Sequence, residues 1–251
     1  MKKDIIYGFI TVRTSSTRLP NKCLLPLGNN SVLEHVIKRC LGYGIEPIVC
    51  TTSHSSDDVI EEMSNKLNIK CFRGSSINKL KRWADCANYY NIKDFHTVDA
   101  DDPFFDGDEM KISINKLREG NYDIVSPTIY SSNGGASVGY SLKSKIVLEA
   151  VKKTNNSTDT EMIESFLYDI DNLKIHNLQE YIIRPQEVRL TLDYEEDYLL
   201  LKVIIQILGK NISRNKIDNL FVNNPDLSKI NWFRNIDWKA KQNSKINNGN
   251  K

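Results

Sequence analysis

Strand-like and helix-like segments alternate over the first 105 residues, and this alternation restricts the chain to few folds. Residues 5–12 form a nearly continuous apolar run, which is typical of a strand covered on both faces of a parallel sheet. Residues 32–41 repeat apolar side chains at helical spacing, and Ser31 with Glu34 predicts a capping box at the helix start. Further strands are predicted at 47–52, 69–72 and 95–99, with helices at 56–67 and 78–90. The pattern predicts an α/β fold with a mostly parallel, doubly wound, Rossmann-like sheet.

The pattern is less regular after Pro103, where the predicted elements are shorter. Strands are expected at 123–126, within 173–183 and at 188–192, and helices at 108–118, 143–153, 158–169 and 195–208. The sequence shows no internal repeat and no interdomain linker. We therefore predict a single domain over residues 1–238 with an inserted lobe at about 126–187, followed by a flexible polar tail at 239–251.

The composition argues against several classes of partner. The 251 residues contain 34 Lys and Arg against 32 Asp and Glu, which excludes a broad basic surface for nucleic acid but not a local anion pocket. No apolar run approaches the roughly 18–20 residues of a membrane span. The five cysteines have no C-x-x-C spacing, which argues against a disulfide framework or a zinc site. We therefore expect a cytoplasmic protein without nucleic-acid or membrane partners.

The loop after the first predicted strand combines basic and hydroxyl side chains. Its cations are Arg13, Arg18 and Lys22, and its hydroxyls include Ser16 and Thr17. A polyphosphate needs such a loop, because N–H groups and hydroxyls bind its oxygens while cations offset its charge. The loop lacks the G-x-x-x-x-G-K-[ST] pattern of a Walker motif, and a solvated basic loop would have the same composition.

Acidic side chains gather at two predicted strand ends. Asp99, Asp101 and Asp102 follow one strand, and Asp193 ends another strand far along the chain. Carboxylates this close repel one another unless a cation lies among them, and oxygen ligands favour Mg²⁺ or Mn²⁺. Asp101 and Asp193 could therefore share one ion. An Asp-rich turn that caps the next helix is the alternative.

Two further polar segments lie where ligands bind in such sheets, beyond the carboxyl ends of the strands. Thr52 and Ser53 end the second predicted strand, where they could contact a base or a ribose. Ser75 precedes a predicted helix that carries Arg82, and this segment could bind an anion. A polar turn and a basic surface face are the alternatives for these residues.

The order of these motifs resembles one enzyme family. Its opening is matched by Arg13-x-x-Ser16-Thr17-Arg18-Leu19-Pro20-x-Lys22, then Leu25-Pro26-Leu27-Gly28 and Val32-Leu33-Glu34-His35-Val36. Its later motifs are matched by Thr51-Thr52-Ser53 with Asp57-Asp58, Phe72-Arg73-Gly74-Ser75 with Arg82, Asp101-x-Pro103, and Leu190-Thr191-Leu192-Asp193 with Asp197. The family is that of the cytidylyltransferases that make CMP-activated sugar acids, such as CMP-3-deoxy-manno-octulosonate synthetase, and includes the spore-coat-polysaccharide cytidylyltransferases. The chain departs from it at Asn21, where glycine is usual, and at Met162-Ile163, where His-Val is usual.

The resemblance implies a nucleotidyltransferase sheet, a small dimerisation lobe and a site for CTP. The implied nucleotide-binding residues are Val12, Arg13, Ser16, Thr17, Arg18, Lys22, Thr52, Ser53, Ser75, Arg82 and Asp99. Asp101 and Asp193 would hold Mg²⁺, or Mn²⁺ in its place. Arg13, Lys22 and Asp101 would be the catalytic residues.

The implied reaction transfers CMP from CTP to a small anionic acceptor (a sugar acid, a sugar phosphate or a phosphonate) and releases pyrophosphate, within a homodimer. The acceptor residues are expected in the inserted lobe, where the resemblance is weakest, at Gly134, Gly135, Tyr140, Asp159 and Glu161. Two alternatives stay open. Asp99-Ala100-Asp101 also matches the D-x-D of glycosyltransferases that use nucleotide sugars. The chain could also be a nucleotide-binding module without catalytic activity.

Overall fold

The structure of the protein, a computed structural model, describes residues 5–132, 134–180, 185, 187–209, 212–237 and 239–240. Residues 241–251, most of the predicted polar tail, lie outside the described residues, as do residues 181–183 of the segment predicted to contain a strand.

Strands and helices alternate along the described chain. The strands are β1 (Tyr7–Thr11), β2 (Pro26–Leu27), β3 (Asn30–Ser31), β4 (Glu46–Thr52), β5 (Lys70–Gly74), β6 (Asp94–Asp99), β7 (Ile124–Ser126), β8 (Ser141–Lys143) and β9 (Ile175–Asn177). The α-helices are α1 (Val32–Gly42), α2 (Asp58–Lys66), α3 (Lys79–Tyr89), α4 (Gly107–Glu119), α5 (Ile129–Ser132), α6 (Ser144–Lys152), α7 (Glu164–Leu167), α8 (Glu195–Leu208) and α9 (Arg214–Asn223). Short 3₁₀ turns cover Lys22–Leu24, Ser55–Asp57 and Pro225–Ile230.

A seven-stranded sheet organises the molecule in the order β5-β4-β1-β6-β8-β7-β9. Neighbouring strands are parallel except where β8 lies antiparallel between β6 and β7. The predicted α/β fold with a mostly parallel sheet is confirmed. β8 was not predicted, because three residues with one apolar side chain carry too little periodicity to indicate a strand. Both β8 and β9 fall within residues 126–187 and pair in this main sheet. A role for that segment in dimerisation stays a prediction.

Helices cover both faces of the sheet, which explains the continuous apolar runs of its central strands. Phe9 of β1 and Phe95 of β6 stack with their ring centroids 4.0 Å apart on the face covered by α3 and α6. The next residue of β1, Ile10, points to the opposite face and packs with α1, α2 and α4. All three side chains are fully buried. Burial of each such side chain contributes about 1.5–3 kcal/mol, so this double cover anchors β1 firmly.

The helix predicted at 158–169 is largely wrong, since only α7 is helical there. Asn155 and Asp159 give the physical reason, since Asp159 Oδ1 accepts from the Glu161 N–H at 2.9 Å and Asn155 forms a similar local turn just before it. Asn155 Oδ1 accepts hydrogen bonds from the Ser157 N–H, the Ser157 hydroxyl and the Thr158 hydroxyl at 2.9, 2.7 and 3.0 Å. Such local side-chain bonds compete with helical hydrogen bonds and favour a turn.

The strand predicted at 188–192 is also wrong, because this extended segment joins no sheet. The Leu190 N–H donates to the Gly134 carbonyl and the Leu192 N–H donates to the Asp101 carbonyl, each at 2.7 Å. These two acceptors come from separate loops, so no strand ladder forms. Leu190 and Leu192 are buried in a cluster with α8, and the segment ends at Asp193 beside the turn that follows β6.

No helix among the described residues is both long enough and apolar enough to cross a lipid bilayer.

Candidate active site

A cleft of about 650 Å³ opens beyond the carboxyl ends of β1 and β6, where ligands bind in sheets of this kind. The predicted site residues that line it are Val12, Arg13, Ser16, Thr17, Arg18, Lys22, Arg82, Asp99, Asp101, Gly134, Tyr140, Asp159, Glu161 and Asp193. Thr52, Ser53, Ser75 and Gly135 do not line it. Residues 12–22 are called the basic loop below, and the lining residues between 127 and 164 are called the far wall.

The basic loop is held in place by a carboxylate from the second βα connection. Asp57 Oδ1 accepts hydrogen bonds from the Thr14 N–H at 2.9 Å and from the Thr14 hydroxyl at 2.7 Å. The Thr52 hydroxyl donates to the other oxygen of Asp57. Burial would raise the pKa of Asp57, but these hydrogen bonds outweigh burial and lower it. Thr52 therefore supports the loop from behind.

Asn21 stands where the resembling family has glycine. Its backbone is left-handed, with φ at 53° and ψ at 27°. Glycine adopts this conformation freely, and asparagine tolerates it better than most other residues. The substitution therefore keeps the turn that directs Lys22 into the cleft.

Lys22 joins the two predicted metal-binding carboxylates. Its Nζ lies 2.7 Å from Asp101 Oδ2 and 2.9 Å from Asp193 Oδ1, and it donates to the Leu192 carbonyl at 2.9 Å. Asp193 Oδ1 also accepts from Arg18 Nη2 at 2.7 Å. Cations of the basic loop and carboxylates from two distant parts of the chain thus meet at one point.

The charges at this point stabilise one another. Burial alone would lower the pKa of Lys22, but Asp101 and Asp193 outweigh it and raise that pKa above its usual range. Burial would raise the pKa of Asp101, and Lys22 outweighs burial and lowers it. The ammonium and the Asp101 carboxylate therefore both stay ionised at neutral pH.

Asp99 and Asp102, which lie on either side of Asp101 in the sequence, have partners other than Lys22. Asp99 Oδ1 lies 3.3 Å from Lys79 Nζ, and Asp102 Oδ1 accepts from the Thr191 hydroxyl at 2.7 Å. Burial raises the pKa of both carboxyl groups, and the charge of Asp101 raises the pKa of Asp102 further. Asp102 thus ties the segment before Asp193 to the turn after β6.

The oxygen atoms around the Lys22 ammonium suit a small divalent cation. Two carboxylate oxygens and one carbonyl oxygen converge on a single position that a cationic group already occupies. Among the described residues, no group of three or more His, Cys, Asp or Glu side chains could enclose a metal. Mg²⁺ is commonly held by one or two carboxylates together with substrate phosphates, so Asp101 and Asp193 fit a metal that shares its coordination with a nucleotide.

Arg82 is a buried cation in the wall of the cleft, 3% exposed. Its Nη1 donates to the Ser75 carbonyl at 2.5 Å, while its Nε has no hydrogen-bond partner in the described part of the chain. The Ser75 hydroxyl accepts from the Asn78 N–H at 3.0 Å, and the Ser53 N–H donates to the Gly74 carbonyl at 2.9 Å. Ser75 therefore positions Arg82, whose remaining N–H groups can serve a ligand.

Tyr140 of the far wall is connected to β6 and to α7. Its N–H donates to the Thr97 hydroxyl at 2.8 Å, and its own hydroxyl donates to Glu164 Oε1 at 2.5 Å. Gly139 precedes it with φ at +82°, and a Cβ there would lie 2.2 Å from the Thr97 carbonyl oxygen. Only glycine fits this approach, which sets where Tyr140 enters the cleft.

An ion pair connects the basic loop to the far wall, with Arg13 Nη2 3.6 Å from Glu161 Oε2. Both side chains are half-exposed, so the pair contributes little to stability. Asp159 accepts from the Glu161 N–H at 2.9 Å and shapes the loop that carries Glu161.

Gly134 and Gly135 contribute backbone atoms to the packing around the cleft. The Gly134 carbonyl accepts from Leu190, and a Cβ at Gly134 would lie 3.1 Å from Asn235 Oδ1. The Gly135 carbonyl accepts from Arg214 Nη1. Gly135 therefore lies behind the cleft surface.

The sequence did not predict the tertiary contacts that support the site. Thr14 and Asp57 are 43 positions apart, and Asp102 and Thr191 are 89 positions apart. No spacing rule connects such residues. Asp57 and Thr191 belong to motifs that resemble the family, and Asp102 was predicted among the acidic side chains, but no motif indicates which of these residues bond to one another.

Comparison with known proteins identifies the family of this chain. A family model described as cytidylyltransferase matches residues 7–207. The spore coat polysaccharide biosynthesis protein SpsF of Bacillus subtilis is 25% identical over 236 residues, which are 89% of this chain and 96% of that protein.

Two solved structures share the fold. A cytidylyltransferase from Leptospira borgpetersenii superposes with a TM-score of 0.77 at 22% identity, over 89% of this chain and 96% of that chain. A CMP:2-keto-3-deoxy-manno-octonic acid synthetase in complex with CTP superposes with a TM-score of 0.63 at 13% identity, over 81% and 99%.

Proposed function

Since the chain belongs to the cytidylyltransferase family, we propose that it transfers CMP from CTP to a small anionic acceptor and releases pyrophosphate in a Mg²⁺-dependent reaction. The acceptor would be a sugar acid, a sugar phosphate or a phosphonate, and Mn²⁺ could replace Mg²⁺. The observation that carries the proposal is the meeting of Lys22 with Asp101 and Asp193 in a cleft that the basic loop lines.

Each part of the cleft has a task in this reaction. Arg13, Arg18 and Lys22 offset the negative charge of the triphosphate, and Arg82 offers further N–H groups from the wall of the cleft. Lys22 would exchange its carboxylate partners for phosphate oxygens as metal-bound CTP enters. Asp101 and Asp193 would then hold Mg²⁺, which neutralises charge on the phosphates.

The transfer itself needs no protein nucleophile. An acceptor oxygen attacks the α-phosphorus, the bond from that phosphorus to the bridging oxygen breaks, and pyrophosphate leaves with its electron pair. The cations of the basic loop stabilise the charge that develops on the α-phosphate and on pyrophosphate. Glu161, Glu164 and Tyr140 line the far wall, where the acceptor would bind.

The test is a screen of the four ribonucleoside triphosphates against sugar acids, sugar phosphates and phosphonates, with pyrophosphate as the readout. We expect release with CTP and one acceptor class, together with a Mg²⁺ requirement that Asp101→Asn and Asp193→Asn both weaken. Asp85→Asn is the matched control, because Asp85 pairs with Lys81 on the helix surface. If both site variants require as much Mg²⁺ as the wild type, neither carboxylate binds the metal.

Family membership makes the chain a nucleotidyltransferase, which argues against the alternative of a nucleotide-binding module without catalytic activity. The glycosyltransferase alternative gains no support from the site, because Asp99 and Asp101 contact different lysines. In the screen, release of a nucleoside monophosphate or diphosphate from a nucleotide sugar would revive that alternative. A homodimer and a cytoplasmic location stay predictions, and the mass of the purified protein in solution tests the first.

A further inference from the structure

The proposed metal carboxylate Asp193 lies in a short connection without regular structure, so something else must hold it still. Asp197, in the first turn of α8, supplies part of the answer. Its Oδ2 accepts hydrogen bonds from the N–H groups of Asp193 and Tyr194 at 2.9 and 3.0 Å. Asp197 therefore fixes the backbone of Asp193, and it does not line the cleft.

Arg189 extends this support to the side chain of Asp193. Its guanidinium is fully buried and grips Asp197 with two bonds, Nε to Oδ1 at 2.8 Å and Nη2 to Oδ2 at 3.0 Å. The same Nη2 lies 3.5 Å from Asp193 Oδ2. Arg189 thus attracts one carboxylate oxygen of Asp193, while the other oxygen faces Lys22 and Arg18.

Two buried asparagines from the C-terminal part of the chain complete the network. Asn235 Oδ1 accepts from Arg189 Nη1 at 3.0 Å. Asn231 Nδ2 donates to the Arg189 carbonyl at 3.0 Å and to Asp197 Oδ1 at 2.9 Å. Both asparagines lie beyond residue 207, where the match to the family model ends.

We propose that Asn231 and Asn235 are positioning residues that, through Arg189 and Asp197, hold the Asp193 carboxylate in the orientation that metal-bound CTP requires. This inference rests on the proposed function. The geometry favours positioning over general packing, because among the described residues every side-chain hydrogen bond of these two asparagines ends on Arg189 or Asp197, and both of those residues contact Asp193. Residues that orient metal ligands in this way typically change metal affinity by about 10–100-fold when they are removed.

The experiment measures Mn²⁺ binding to the full chain in the presence of the non-hydrolysable α,β-methylene analogue of CTP, with free Mn²⁺ followed by electron paramagnetic resonance. We expect Asn235→Ala and Asn231→Ala each to weaken Mn²⁺ binding by about tenfold, the lower end of the range for residues that orient ligands. Asn235→Asp keeps the oxygen that accepts from Arg189 and should restore binding. Asn235 Nδ2 has no hydrogen-bond partner among the described residues, so its replacement by oxygen breaks no bond to any of them.

Asn223→Ala is the matched control, because Asn223 is exposed and the hydrogen bond that its side chain makes to a described residue goes to the Asn219 carbonyl within α9. Circular dichroism and thermal unfolding establish that each variant is folded. Wild-type Mn²⁺ affinity in either folded alanine variant overturns the proposal, as does an equal loss in Asn223→Ala. A wild-type protein that binds no Mn²⁺ with the analogue refutes the proposed function itself and the positioning role with it.

Discussion

The basic loop and the far wall face each other across one cleft but are held in different ways. The basic loop is held by charged and polar side chains from distant segments, at Thr14 through Asp57 and at Lys22 through Asp101 and Asp193. The far wall is held by backbone contacts, such as that of Gly139 against Thr97, and by single bonds such as Tyr140 to Glu164. A triphosphate is common to all members of a CTP-dependent family, whereas acceptors differ. We therefore expect changes in the basic loop to affect CTP and changes in the far wall to affect the acceptor.

Lys22→Met should have the largest effect on the nucleotide side of this comparison. We expect turnover to fall by roughly 100-fold or more, as when a preorganised charge donor is removed. Pyrophosphate release at saturating CTP and acceptor measures it. Lys81→Met is the control, because Lys81 pairs with Asp85 on the helix surface. Near-normal turnover in Lys22→Met would show that Lys22 does not stabilise the transition state.

Asp57→Asn tests whether the basic loop depends on its support from behind. The loss of charge weakens three hydrogen bonds that place Thr14 and Thr52. We expect the KM for CTP to rise about tenfold, since small displacements of binding groups are costly, while the KM for the acceptor stays unchanged. Steady-state kinetics with each substrate varied in turn gives both constants.

Asp58→Asn is the control for that substitution, because the neighbouring Asp58 is exposed and pairs with Arg73 outside the cleft. Equal increases in the two KM values of Asp57→Asn would show that the two sides of the cleft do not act separately.

Acid should weaken the connection between β6 and the far wall. His96 is fully buried and bonds to Ser141 of β8 and to the Val138 carbonyl, and burial lowers its pKa to about 4. The unfolded chain therefore binds a proton near pH 6.5 that the folded protein does not accept until about pH 4. The contribution of neutral His96 to the free energy of unfolding is fully present above pH 6.5 and is lost as the pH falls toward 4.

We expect His96 to account for about 1 kcal/mol of the loss in unfolding free energy between pH 7 and pH 5.5. Urea unfolding at both pH values, in wild type and in His96→Gln, measures this share. His54→Gln is the control at an exposed histidine. A loss as large in His96→Gln as in wild type would contradict the prediction.

Tyr140→Phe should have the smallest effect and should fall on the acceptor alone. It removes the hydrogen bond to Glu164 at the far wall. One such bond contributes about 0.5–1.5 kcal/mol, so we expect the KM for the acceptor to rise about threefold with the KM for CTP unchanged. Tyr89→Phe, at an exposed tyrosine of α3, is the control. A larger change in the KM for CTP than in the KM for the acceptor would contradict the assignment of the far wall to the acceptor.

Local patterns predicted β1, α1 and β4 because each of these elements is long and covered on a defined face. The same reasoning failed at residues 158–169, where Asn155 forms a turn with its own neighbours. It failed again at 188–192, where the alternation of apolar residues was real but the partners came from two loops. Periodicity reports which side chains are buried and does not report what their backbone pairs with.

The sequence by itself determined the alternating α/β order, the basic loop after the first strand and the acidic residues at 99–102 and 193, because these depend on periodicity and on residue chemistry within short segments. Only the tertiary structure decided that Lys22 bridges Asp101 and Asp193, that Asp57 supports Thr14, and that Asn235 reaches Arg189. The physical reason is distance along the chain. Hydrogen bonds and ion pairs act over about 3 Å in space, and the fold alone brings residues so far apart in sequence to that separation.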